Sequence, residues 1–123
     1  MTETNDIMSI SNAMDKCNAS IRAAVGLLKE RARVKAEAYG NYEKEIAKKI
    51  IMLKMGEMFE LDGVTIKETA ASNVEKIARG ICYKEMIAKE VAESDYKNLL
   101  VGIEALQSEL NSLQSQYRHL DNK

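Results

Sequence analysis

Apolar side chains recur at Ile7, Ile10, Met14, Cys17, Ile21, Ala24 and Leu28. The spacing alternates three and four, which fills the a and d positions of a heptad and predicts an amphipathic helix. Asp6 or Ser9 is placed to cap its start. The next two positions of that register are Arg31 and Lys35, so the expected seam stops at Leu28. A second register takes over at Ala32, Tyr39, Ile46 and Leu53. The shift between Leu28 and Ala32 is a stutter, which unwinds a coiled coil locally without ending the helix. Gly40-Asn41 is the expected place for a kink or break.

The C-terminal half carries the longer pattern. Ala92, Tyr96, Leu99, Ile103, Leu106, Leu110, Leu113, Tyr117 and Leu120 follow four-three spacing without a miss. Leu99, Leu106, Leu113 and Leu120 place a leucine at every seventh residue and are the expected self-association face. Ile77, Ile81, Ala88 and Ala92 extend the stripe upstream, with Glu85 and Lys89 interrupting the strict heptad. Between the halves the period changes. Met58-Phe59-Glu60-Leu61 and Val64-Thr65-Ile66-Lys67 alternate about Asp62-Gly63, a hairpin signal. Two isolated strands are only marginally stable in water, so the expectation is a loop or a short β-hairpin. Thr69 to Asn73 is small and polar, and Ser72 with Glu75 fits a capping box for the second helix.

These elements predict an all-α fold: a long antiparallel helical hairpin, or coiled coil, within a single domain over 1–123. The helices cover about 7–57 and 72–120, with the loop or β-hairpin over 58–71. A turn near residue 64 brings Ile21 level with Gln107 and Met14 level with Gln114, so the two clean heptads coincide. Gly26 falls opposite Gly102, where two bare backbones could approach. At 1.5 Å per residue, helices of about 45 residues reach roughly 65–70 Å and hold Cys17 and Cys82 roughly 40 Å apart, excluding a disulfide. Val25, Leu27, Val34, Ile50, Ile51, Met52 and Met55 lie off the first seam, as do Leu100, Val101 and Ala105 off the second. A stripe this wide asks for another surface to cover it. A homodimer, four-helical along part of its length, supplies one. A monomeric three-helix bundle broken at Gly40 is the alternative.

Composition sharpens this picture. The chain of 123 residues has no proline and no tryptophan, and its six aromatic residues are five Tyr and one Phe. Proline averages about 5% elsewhere, and its absence suits uninterrupted helices. With 18 basic and 19 acidic residues the net charge is −1, which argues against a strongly basic nucleic-acid binder. No apolar run approaches the roughly 18 residues of a membrane span, and the polar, acidic start lacks the features of a signal peptide. The expectation is a cytoplasmic protein without membrane attachment.

Candidate chemistry is sparse. Two Cys and one His are too few for a structural zinc site, and neither a cofactor nor a metal is expected. His119 lies near the C-terminus as a surface residue. No HExxH, GxSxG, P-loop or GxGxxG occurs, and the heptads offer no cleft for paired carboxylates. A non-enzymatic role follows. Lys29, Arg31, Arg33, Lys35, Lys44, Lys48, Lys49 and Lys54 give residues 29–57 eight basic against five acidic side chains, a net of +3. Arg31, Arg33, Lys35, Lys44, Lys48 and Lys49 are candidate phosphate contacts, although the interleaved Glu residues also suit a salt-bridged solvent face. Met55, Met58, Phe59, Leu61, Val64 and Ile66 form a candidate protein-binding tip, where methionine gives an adaptable surface.

Three further stretches carry a resemblance: Lys76-Ile-Ala-Arg-Gly-Ile-Cys-Tyr-Lys-Glu85, Ala92-Glu-Ser-Asp-Tyr-Lys97 and the ending Ile103 to Leu120. Over residues 29–120 the chain resembles small helical early-region proteins of phages and prophages of Gram-positive bacteria. That resemblance implies an accessory factor that binds, and in some cases inhibits, a host complex such as a defence nuclease. It equally admits a replication or recombination factor that binds nucleic acid. A coiled-coil spacer is the structural alternative.

Overall fold

A computed structural model describes residues 2–66 and 70–122, with side chains described from Asp6 onward. Lys67, the last expected strand position, and Thr69, the start of the expected polar link, lie outside the described residues. Helix α1 runs Thr2–Lys54, strands β1 and β2 are Phe59–Leu61 and Val64–Ile66, a 3-10 turn covers Ala71–Asn73, α2 is Val74–Ile81 and α3 is Tyr83–Asp121. The fold is all-α, a helical hairpin of α1 against the C-terminal helices with a two-stranded connector.

Helix α1 passes through Gly40 unbroken, as a single first helix requires. A mid-helix glycine costs about 1 kcal/mol relative to alanine, too little to break a helix held by packing at Ala38 and Tyr42 on either side. The three-helix alternative needs that break and does not form. Helix α1 instead ends at Gly56, earlier than expected. Gly56 has φ 82°. Its N–H donates to the Leu53 carbonyl at 3.1 Å, and the Glu57 N–H donates to Met52 at 3.1 Å. This is a Schellman stop, and glycine enters the left-handed region without steric cost.

The connector is an antiparallel hairpin with Phe59 opposite Ile66, Glu60 opposite Thr65 and Leu61 opposite Val64. Asp62 and Gly63 have φ of 48° and 81°. Positive φ at both central residues is the type I′ geometry whose twist matches the strands. The capping box does not form. The 3-10 turn occupies that stretch, and Asn73 takes the N-cap position of α2 with no side-chain cap bond. A one-residue interruption at Cys82, with ψ 28°, divides the expected second helix. The bonds Cys82 N–H to Ala78 and Met86 N–H to Cys82, both 3.0 Å, keep the i→i−4 ladder running across it.

The chain packs as two compact units. In the first, within 2–32 and 95–122, the seam is the predicted one. The apolar positions from Ile7 to Leu28, and from Tyr96 to Leu120, are half-buried, and Cys17 and Ile103 are fully buried. The Cys17 thiol donates to the Leu106 carbonyl at 3.1 Å. Gly26 and Gly102 do not mediate a close approach: both are exposed, and a Cβ on either would meet nothing within 4 Å.

In the second unit, within 33–66 and 70–94, Tyr42, Ile46, Leu53, Val74, Ala78 and Cys82 form the core, with Ile50, Phe59, Ile66, Ile77 and Ile81 packed against it. The shifted register is half present, with Ile46 and Leu53 fully buried. Tyr39 is exposed, as is Ala32 in the first unit, while Lys35, Ala38, Tyr42, Glu45, Lys49 and Met52 continue the original register buried or half-buried. On α3, Glu85 and Lys89 likewise stay in the seam, half-buried. Long charged side chains lay their methylenes along an apolar surface while the charged head reaches water. A charge at a seam position therefore need not end the seam.

Candidate functional site

The polar seam of the second unit is the densest group of interacting side chains. Tyr42 is buried, and its hydroxyl accepts a hydrogen bond from Arg79 Nη1 at 3.3 Å. Arg79 Nη2 also donates to Glu75 at 2.9 Å. The Lys89 ammonium stands 5.3 Å from the Tyr42 ring centre and 5.7 Å from that of Tyr39, within cation–π range. It also lies 3.7 Å from Glu90 and 3.8 Å from Glu93. Lys49 sits 3.4 Å from Glu45 and 5.9 Å from the Phe59 ring centre. Partial burial pushes the Glu45 carboxyl up, but hydrogen bonds from Lys49 and Lys48 outweigh it and leave the group below its ordinary value. Burial, then Glu85, raises the Cys82 thiol, with Lys49 opposing. Burial, then Glu109, raises Cys17. Neutral buried thiols are poor nucleophiles, so this cluster holds charge and aromatic surface rather than an activated group. The sequence reading put Tyr39 in the seam and missed Tyr42. Two heptads counted on from Leu28 arrive at Tyr42.

The six candidate phosphate contacts do not make one cationic face. Arg33 pairs with Glu37 at 2.6 Å, and Lys48 and Lys49 both pair with Glu45 at 3.4 Å. Lys35 and Lys49 are half-buried in the seam, while Arg31, Arg33, Lys44 and Lys48 are exposed.

The connector divides the candidate tip in two. Phe59, Leu61 and Ile66 are half-buried, and Phe59 and Ile66 pack on the core. Met55, Met58 and Val64 point outward, 73%, 65% and 63% exposed, and Ile51, one turn before Met55, is 59% exposed. Glu57, Glu60 and Asp62 are exposed among them. Exposed apolar side chains therefore lie on and beside a hairpin that is itself anchored.

Leu99, Leu106, Leu113 and Leu120 are half-buried on the seam face of α3. Tyr83, Met86, Ile87 and Val91 form a second, exposed apolar stripe that the sequence reading did not single out. Their i, i+4 spacing on the face away from Cys82, Glu85 and Lys89 is the signal that marks it. In the first unit, Asp6, Ser9, Ile10, Gln116, His119 and Leu120 line an open depression of about 400 Å³, with His119 exposed. Among the described residues no three His, Cys, Asp or Glu side chains group as metal ligands, and no helix is long and apolar enough to cross a membrane. No family, curated protein or solved structure matches the chain.

Proposed function

We propose that this chain is a non-enzymatic interaction protein that docks a protein partner through the connector. The observation that carries this reading is the exposure of Met55, Met58 and Val64 on and beside a hairpin pinned to the core by Phe59 and Ile66. Apolar contact area held in place before binding loses little conformational entropy on docking, and methionine adapts to the partner's shape. The resemblance to phage early-region proteins makes a host macromolecular complex in the cytoplasm, such as a defence nuclease, the partner class to test first, with inhibition as the outcome of binding. The nucleic-acid reading has less support, because Arg33, Lys48 and Lys49 are engaged with glutamates.

Self-association belongs to the same proposal. A two-helix seam leaves Leu99, Leu106, Leu113 and Leu120 half-covered, and a second copy laid along it would cover the rest. The test of the partner is affinity capture of tagged protein from bacterial lysate, with and without nuclease treatment, read by mass spectrometry. The expected result is a defined protein complex that survives nuclease treatment and is lost from Met55→Asp, Met58→Asp, Val64→Asp protein. Capture that depends on nucleic acid would replace this reading with the accessory-factor one. No capture under either condition would leave the spacer reading.

A further inference from the structure

The charges around the connector specify the chemistry of what docks there. Residues 55–66 carry Glu57, Glu60 and Asp62 and no basic side chain. All three acids are exposed, interleaved with Met55, Met58 and Val64. Among the described residues, no ion pair is seen to Glu57, Glu60 or Asp62. Lys48 and Lys49 are paired with Glu45, and the exposed Lys54 is one charge against three. Exposed apolar side chains interleaved with acids accept a partner whose own apolar side chains are set among cations, because opposed potentials speed encounter and like charges repel the wrong partner. We infer that the connector docks a basic, apolar-bearing surface of a protein partner, with Met55, Met58 and Val64 making the apolar contact and Glu57, Glu60 and Asp62 selecting for cations. This rests on the connector being the docking site. It also narrows the partner class: proteins that handle nucleic acid carry such basic faces for phosphates, and the three carboxylates would meet the same cations.

Two labelled helical peptides of equal leucine content, one Leu/Lys and one Leu/Glu, serve as probes in fluorescence anisotropy at 50 and 300 mM NaCl. The full chain is expected to prefer the Leu/Lys peptide by about tenfold at the lower salt, with the preference shrinking at the higher. Glu57→Lys, Glu60→Lys, Asp62→Asn protein, with asparagine keeping the positive φ of the turn, should reverse the preference. Glu104→Lys, Glu109→Lys protein, reversed at two exposed acids of the first unit, should keep it. Met55→Ser, Met58→Ser protein, with the charges intact, should lose binding of either peptide. Circular dichroism checks that each variant folds, and these positions are all exposed. Equal binding of both peptides, or a preference that survives the connector reversal, overturns the charge inference, as does no binding of either. Those results leave the docking site standing where the serine variant loses the complex captured from lysate. If the serine variant retains that complex, both readings fall.

Discussion

In the unit formed within 2–32 and 95–122, every seam position from Ile7 to Leu28 and from Tyr96 to Leu120 is apolar, yet Cys17 and Ile103 alone are fully buried among its described residues. In the unit formed within 33–66 and 70–94, the seam admits Lys35, Glu45, Lys49, Glu85 and Lys89. Even so, Tyr42, Ile46, Leu53, Val74, Ala78, Cys82 and Ala92 are all buried. The purer pattern has the shallower core. Two helices alone give each side chain one facing surface and leave its flanks to solvent. In the second unit the β-hairpin and α2 add further surfaces, and Phe59, Ile66 and Ile77 close over residues that the helix pair would leave half-covered. Depth of burial follows the number of packed layers more than the regularity of the repeat.

The largest test of this comparison is truncation in each seam. Leu53→Ala should cost about 2–5 kcal/mol in urea unfolding, the range for a buried leucine. Leu113→Ala, half-covered, should cost about 1 kcal/mol at low protein concentration. Its cost should rise with concentration if a second copy covers the leucines. A cost independent of concentration would break the dimer proposal, and a cost equal to that of Leu53→Ala in the monomer would break the comparison itself.

Thiol labelling, with Cys→Ala as the conservative replacement at the other site, compares the same units. In protein keeping one cysteine at a time, Cys17 should react about tenfold faster than Cys82, because local opening is easier where fewer apolar contacts must break. Both rates should climb with pH. Burial raises both thiols in the folded chain, so the neutral form favours folding below the ordinary thiol range. That contribution fades as pH rises through the range and the unfolded thiols ionise first. Equal rates would mean that the two seams open together.

Tyr42→Phe keeps the ring beneath Lys89 and removes the acceptor for Arg79. It should cost about 1 kcal/mol in urea unfolding; no cost would show that the ring alone holds this seam. The smallest effects are at the glycines. Alanine at Gly26, Gly40 or Gly102 meets open space within a continuous helix, so each should add about 0.5–1 kcal/mol of stability. Destabilisation at Gly40 would restore the kink, and at Gly26 or Gly102 a close helix approach.

Much of this was legible from spacing. The heptads of the first unit, the Asp-Gly turn and the free cysteines follow from local rules: side chains at i, i+3 and i+4 share a face, and Asp-Gly tolerates two positive φ values. The repeat was harder to follow where charges entered it. Lys35, Glu45, Glu85 and Lys89 suggest a broken seam when each is counted as polar, because a single letter cannot separate an apolar stem from a charged head. The connector patch was half-legible. Alternation identified its strands, but not which of Phe59, Ile66, Met58 and Val64 would meet the core.

The sequence by itself determined the helices, the hairpin turn and the heptad seam of the first unit, since these depend on residues within a few positions of one another. The tertiary structure decided that Tyr42 is buried with Arg79 on its hydroxyl, that Gly56 ends α1, and that Met55, Met58 and Val64 stay outside. Each of those outcomes depends on which distant segment arrives first at a given surface, and packing across α1, the hairpin and α2 settles that competition where local propensity is silent.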